Sequence, residues 1–266
     1  MGHRTEFHVE SLESRKMMAG DVSARVVNGD LIVTGDNQDN EIYVFQMDAD
    51  SYALFGESGT RINGLSGQPF HGVSDDIRIN LRNGDNKLAL QGVETNDDLI
   101  IRTGNGHDQI LMDGSNVRSN LRIQTGRGND TLFITDSVVQ GRLTANLGAG
   151  NDELLVSASR FIRATMNTGS GHDELFVRNT EFLQPSRFNL ASGEDLAWIG
   201  TDTGLIPATN LHVNGGRGND VYERHFAAEA VVSNFEGEGV VVDHVSMVVD
   251  FNNQIIEADL ELSIRP

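Results

Sequence analysis

Six aspartates recur along the chain at a spacing that could do chemistry. Asp108, Asp130, Asp152, Asp173 and Asp195 stand 22, 22, 21 and 22 residues apart, and Asp220 follows 25 residues later. Most of them close the same short word. It reads Gly104-Asn105-Gly106-His107-Asp108, then Gly126-Arg127-Gly128-Asn129-Asp130, Gly148-Ala149-Gly150-Asn151-Asp152 and Gly169-Ser170-Gly171-His172-Asp173. A carboxylate set at the end of a glycine turn can accept N–H bonds from its own turn. If the repeats stack, it can also join its neighbours in a column of oxygens. Two carboxylates ~5 Å apart at an effective dielectric of about 20 repel by roughly 3 kcal/mol. A hard, oxygen-seeking cation helped by turn carbonyls would relieve that repulsion. The metal-ligand candidates are therefore Asp108, Asp130, Asp152, Asp173, Asp195 and Asp220, with Ca²⁺ as the candidate ion. Asn40 and Asn86 fall in the same column and favour the turn-capping role, since an amide can ladder without charge.

Positioning such a column requires a repeating scaffold. Self-similarity at a fixed interval of this size is the mark of a solenoid, one repeat per coil. Two positions after the aspartate stand Leu88, Ile110, Leu132, Leu154 and Leu175; four positions after stand Leu90, Met112, Ile134, Val156 and Val177. Strand side chains alternate faces, so both columns point into one core. The column seven on (Val93, Ser115, Ser137, Ser159, Thr180) suits a tight corner, and Leu121 with Ile123 marks a further strand. Helical periodicity is absent. The expected fold is all-β: a parallel β-helix of about 22 residues per coil, right-handed by the general crossover preference. Residues 1–22 read as an N-terminal leader, 23–225 as the solenoid and 226–266 as a C-terminal β cap. The span 45–80 is expected to hide one diverged coil. The regular stack is expected to stop near residue 224, where Tyr222 and Arg224 replace the core pair.

One outward column breaks the polar rule for a solvated face. Three positions after the aspartate it reads Ala89, Leu111, Phe133, Leu155, Phe176, and Trp198 continues it. A contiguous apolar stripe of that length calls for cover. The candidates are the C-terminal segment, a second copy, a protein partner, or a sugar ring stacked on Phe176 and Trp198.

Composition narrows the partners. The 266 residues carry a formal net charge of −19 and no Cys. The charge argues against nucleic acid and anionic membrane surfaces, and the missing Cys excludes disulfides and thiolate sites. No apolar run is long enough to span a membrane. No Ser-His-Asp order or paired-histidine metal spacing appears, and the Gly-x-Gly words precede strands rather than helices, which removes the nucleotide fingerprint. His107 and His172 are three coils apart, too far to act together.

Two resemblances add to this reading. The loops, most fully Gly215-Gly216-Arg217-Gly218-Asn219-Asp220, resemble the repeat-in-toxin (hemolysin-type) motif Gly-Gly-x-Gly-x-Asp, which implies Ca²⁺ held between stacked turns. That family repeats its motif twice per coil, whereas this chain carries one loop per coil. Leu12-Glu13-Ser14-Arg15-Lys16-Met17-Met18-Ala19 resembles the N-terminal Leu-Glu-Pro-Arg motif of planctomycete exported and surface proteins, which implies an extracellular or cell-surface destination. The expected function is a non-enzymatic structural or adhesive surface protein, with a cell-surface polysaccharide or protein as partner and self-association open. The alternative is a carbohydrate-active β-helix enzyme (a polysaccharide lyase or glycoside hydrolase) or a carbohydrate-binding module.

Overall fold

The computed structural model describes residues 20–200, 210–225, 231–235, 237–238, 244–250 and 255–261. Among these there is no helix, and the strands stack in parallel as a β-solenoid of about 6 turns. Each regular coil gives one strand to each of two long sheets. The first runs through Leu99–Asn105, Leu121–Arg127, Val138–Ala149, Arg160–Ser170, Ser186–Ser192 and Leu211–Asn214. The second runs through Lys87–Gln91, Gln109–Asp113, Thr131–Thr135, Glu153–Ser157, Glu174–Arg178 and Leu196–Gly200. Short contacts such as Asn116–Val117 against Glu94–Thr95 close the remaining corner.

Alternation decides which side chains go inward. Leu132 stands in register between Ile110 and Leu154, and Ile134 between Met112 and Val156. Leu132, Ile134 and Leu154 are fully buried. From the first sheet come Leu121, Ile123 and Leu143, also buried, and all belong to one continuous core. The serine column builds a corner by hydrogen bonding between coils: the Ser115 N–H donates to Ser137 Oγ at 3.1 Å, and the Ser137 N–H to Ser159 Oγ at 3.1 Å.

The N-terminal end differs from the expected diverged coil. Asp30–Thr34 pairs directly with Ile77–Asn80, and Glu41–Asp48 directly with Lys87–Gln91. Asn40 and Asn86 are thus neighbours across a single coil rise, although 46 residues separate them. The intervening chain leaves the stack. Ser51–Gly56 turns back antiparallel along Glu41–Asp48, and Gly67–His71 lies antiparallel to that. Asp21–Val27 likewise folds antiparallel onto Asp30–Thr34, through a turn in which Asn28 and Gly29 both have positive φ. Antiparallel strands end both sheets here and interrupt the parallel template at an edge.

The other end runs further than expected. Val231–Ser233 pairs in parallel with Leu211–Asn214, and Gly237–Glu238 with Val221–His225. Tyr222 continues the stack because its ring packs on Phe235, 5.6 Å between centroids. Past that coil, His244–Asp250 and Ile255–Glu261 form an antiparallel hairpin. The leader motif Leu12–Ala19, Arg224's side chain and about half of the expected cap lie outside what is described.

Candidate functional site

The six aspartates form one buried column along a corner of the solenoid. Each sits directly before a strand of the second sheet, where the glycine loop ends and the alternation begins. All are 0–2 % exposed, as are Asn40 and Asn86. The loop glycines allow the coils to approach this closely. At Gly126, φ is +115°, and a Cβ would lie 1.7 Å from the carbonyl oxygen of Gly104 in the adjacent coil.

The first carboxylate oxygen of each residue is satisfied, but not by its own turn. The Asn86 N–H donates to Asp108 Oδ1 at 2.9 Å, Asp108 to Asp130 at 2.9 Å and Asp130 to Asp152 at 2.8 Å. Asp152, Asp173 and Asp195 continue the series to Asp173, Asp195 and Asp220 at 2.9–3.0 Å. This corrects the turn-capping expectation. Parallel stacking in register sets each carboxylate under the main-chain N–H of the adjacent coil, so the ladder runs between coils.

The second oxygen is different. In all six residues Oδ2 is buried without a hydrogen-bond partner. The two asparagines reveal what that position faces. Asn86 Nδ2 donates to the Gly84 carbonyl at 2.9 Å and to Asp108 Oδ1 at 2.9 Å. Asn40 Nδ2 likewise donates to the Gln38 carbonyl at 2.8 Å and to Asn86 Oδ1 at 2.9 Å. An aspartate in the same slot turns an oxygen toward those same acceptors. Such a contact needs a proton or a cation between the oxygens.

Electrostatics follows from this burial. Loss of water pushes Asp130 up to about 6 and Asp152 and Asp195 up to about 7; Asp108 and Asp173 are raised for the same first cause. Charge on neighbouring column members adds to the rise at Asp130, Asp152 and Asp195. Five positions before each acid lies the residue that grades the column. It is Thr103, Thr125 and Thr168 for Asp108, Asp130 and Asp173, whose hydroxyls hold those acids lower. It is Leu147 for Asp152 and Leu190 for Asp195. Each threonine has one proton to give, and Thr125 Oγ1 already donates it to the Leu147 carbonyl at 2.8 Å. Relief of Asp130 comes at that bond's expense.

The donor type suits a hard cation: carboxylate oxygen and loop carbonyls, with no nitrogen or sulfur. Its density is low. The column offers one carboxylate per coil, and among the described residues the one triple of carboxylates within 4.8 Å lies elsewhere, at Asp75, Asp76 and Asp97. A cation in the column would thus be held by main-chain carbonyls plus one or two aspartates. The surface triple escaped the sequence reading because Asp97 lies on the coil after Asp75 and Asp76. Arg78 already bonds Asp76 and Asp30 there.

The residues just before the acids are exposed rungs of another ladder. The Asn129 N–H donates to His107 Nδ1 at 2.8 Å, and the Glu194 N–H to His172 Nδ1 at 3.0 Å. Both imidazoles are held as acceptors at Nδ1, as parts of a solvated turn. The apolar column is no open surface either. Leu111, Phe133, Leu155, Phe176 and Trp198 form a buried cluster separate from the core, with Phe133 only 1 % exposed.

No family model matches this sequence, and neither a curated protein nor a solved structure matches it. The class defined by the coordinates is the parallel β-solenoid.

Proposed function

We propose that the chain is a non-enzymatic β-solenoid of the cell exterior, structural or adhesive, whose aspartate column takes up Ca²⁺. The observation that carries this is the set of six buried Oδ2 atoms without partners. Five stacked acids raised above the ordinary carboxylate range are costly as bare anions in a dry corner. Binding Ca²⁺ would convert that cost into stiffness along the stack. The glycine-aspartate loops resemble those of repeat-in-toxin proteins, and the leader motif is the support for an exterior location. The test is calorimetric titration of chelator-treated protein with Ca²⁺ at pH 8, followed by melting. Heat of binding and a raised melting temperature, absent with Mg²⁺, are expected. Melting that is identical in excess chelator and in excess Ca²⁺ would remove the cation from the reading.

A second reading rests on Asn86. Its Nδ2 donates where an aspartate presents Oδ2, so a proton on Oδ2 would restore the same bonds. The column would then be a stack of neutral acids that charges as pH rises. Stability falling between pH 5 and 8 without response to Ca²⁺ would select this reading.

A further inference from the structure

We propose that the outer face of the first sheet, toward its C-terminal end, binds an acidic polysaccharide through carboxylate-bearing sugars. The proposal gives the adhesive reading a ligand class and rests on that reading; it uses none of the aspartate column.

Register brings together residues that look scattered in sequence. Arg142 pairs directly with Arg163 on the next strand, and Thr165 with Arg187 on the one after. Arg187 in turn pairs with His212. Like charges placed directly opposite are destabilising, so a stacked arginine pair without a counter-charge needs a reason. Earlier coils of the same face supply one. Arg78 bonds Asp30 and Asp76, and Arg122 bonds Asp98 at 2.6 Å. In the columns of Arg142–Arg163 and of Thr165–Arg187–His212 no acid stands in register, and the acid that the same sheet does carry here, Glu181, is engaged by Arg160. Among the described residues, no carboxylate lies within ion-pair distance of Arg142, Arg163 or Arg187. Arg163 Nε is buried with no hydrogen-bond partner. In a chain of net charge −19, acids are plentiful, so their absence, among the described residues, from the columns that hold Arg142, Arg163 and Arg187 is a local property.

Beside the cations runs an amide ladder. Asn189 Nδ2 donates to Asn167 Oδ1 at 2.9 Å, Asn214 Nδ2 to Asn189 Oδ1 at 2.8 Å, and Asn234 Nδ2 to Asn214 Oδ1 at 2.6 Å. Asn167, Asn189 and Asn214 each keep a second N–H for hydroxyl groups, and the oxygens of Asn167 and Asn189 keep a lone pair, whereas Asn214 Oδ1 already accepts from both Asn234 and Ser233. Arg187, Asn189, His212, Asn214, Ser233 and Asn234 line a hollow of 540 Å³ on this face. Guanidinium groups take carboxylates by paired N–H bonds. Neutral amides between them suit the uncharged parts of a sugar chain. From the Arg142 coil to the His212 coil is three rises, ~14 Å, so a polymer can engage several positions that a single anion cannot. Nucleic acid fits poorly. Of the two rings at the hollow, Phe188 points inward at 2 % exposure and the His212 imidazole is tied to Ser233 Oγ at 2.9 Å, which leaves no row of stacking platforms for successive bases, and the overall charge repels so dense a polyanion.

The test uses the full chain in chelator, which keeps Ca²⁺ from bridging acids on protein and glycan. Polygalacturonate is titrated by calorimetry at low salt, beside its methyl-esterified form and single-stranded DNA. Expected are binding to polygalacturonate that weakens with salt, no binding to the ester, and weaker binding to DNA. Arg163→Gln and Arg187→Gln should each weaken binding about tenfold or more, the loss of one charge-assisted pair. Arg122→Gln, whose guanidinium is engaged by Asp98, should not. Melting of each variant reports folding. Absent binding to polygalacturonate, equal binding to the ester or DNA, or full binding by a folded Arg163→Gln/Arg187→Gln double variant would overturn the proposal. The calcium reading stands or falls separately, on melting in chelator against Ca²⁺.

Discussion

Asp152→Asn isolates what the buried column costs. Asp152 is 2 % exposed, its Oδ2 has no partner, and Leu147 stands where other coils have a threonine. Burial raises its carboxyl from 3.8 to about 7, with charge on Asp130 and Asp173 contributing. The folded protein therefore prefers the neutral acid. That preference stabilises the fold fully below pH 4, declines as pH rises from about 4 to about 7, and is gone above that range. The roughly 3 pH units involved, at ~1.36 kcal/mol each, amount to about 4 kcal/mol. Asparagine is neutral at every pH. Its Nδ2 would donate to the Gly150 carbonyl and Asp173 Oδ1, as Asn86 does to Gly84 and Asp108. In chelator, the variant should match the parent at pH 4 and exceed it by as much as about 4 kcal/mol at pH 8. Chemical and thermal unfolding at matched ionic strength, followed by circular dichroism, reads this out. A variant less stable than the parent at pH 8 in chelator would refute the reasoning, because Oδ2 would then hold a partner worth more than its charge costs. In saturating Ca²⁺ the order should reverse, since asparagine gives up a charged ligand.

Two further outcomes check the scaffold and the grading of the column. Leu132→Ala should cost ~2–5 kcal/mol through lost burial and a residual cavity between Ile110 and Leu154; a cost below about 1 kcal/mol would mean that the inward side is wrongly assigned. Thr125→Val removes the hydroxyl that holds Asp130 near 6, so Asp130 should titrate closer to Asp152, and melting should fall more steeply as pH rises from 6 to 8; an unchanged pH profile would mean that Thr125 serves only the Leu147 carbonyl.

The repeat and its two inward columns could be read from sequence because strand alternation and stacking are both periodic. Leu132 and Ile134 needed only their own spacing from Asp130. What sequence could not supply is anything decided between coils. Asn40 and Asn86 touch because Ile42 and Val44 fit directly beneath Leu88 and Leu90, and an excursion of any length can leave and rejoin such a stack. The donors to Oδ1 come from the adjacent coil and therefore look, along the chain, like a distant residue. Arg142 and Arg163 meet through an irregularity between Val139 and Arg142 that shifts the register, so counting a constant 22 residues misses them. Leu147 and Leu190 were visible as exceptions in a threonine column, but their meaning depends on how dry each carboxylate is.

The two sheets divide the work between interior and surface. Parallel sheets are ordinarily covered on both faces, and the second sheet obeys this: Ile134 packs inward, and Phe133, one residue earlier, is buried on the opposite side. Phe176 at 5 % and Trp198 at 4 % exposure likewise present almost no ring surface on which a sugar could stack. The first sheet departs from the rule. Its outer columns from Arg142 to Asn214 carry charged, hydroxyl and amide side chains, several of them exposed, and they are not sealed by an apolar layer. A parallel sheet that keeps one face wet loses the burial that its neighbour gains from Phe133 and Trp198. The bonded asparagines recover part of that through hydrogen bonds between coils, and they hold the amides at a fixed repeat. Unopposed arginines recover nothing in the free protein. Their presence on a polar, regularly spaced face is the strongest physical reason to look for this chain's ligand there and not along the stripe.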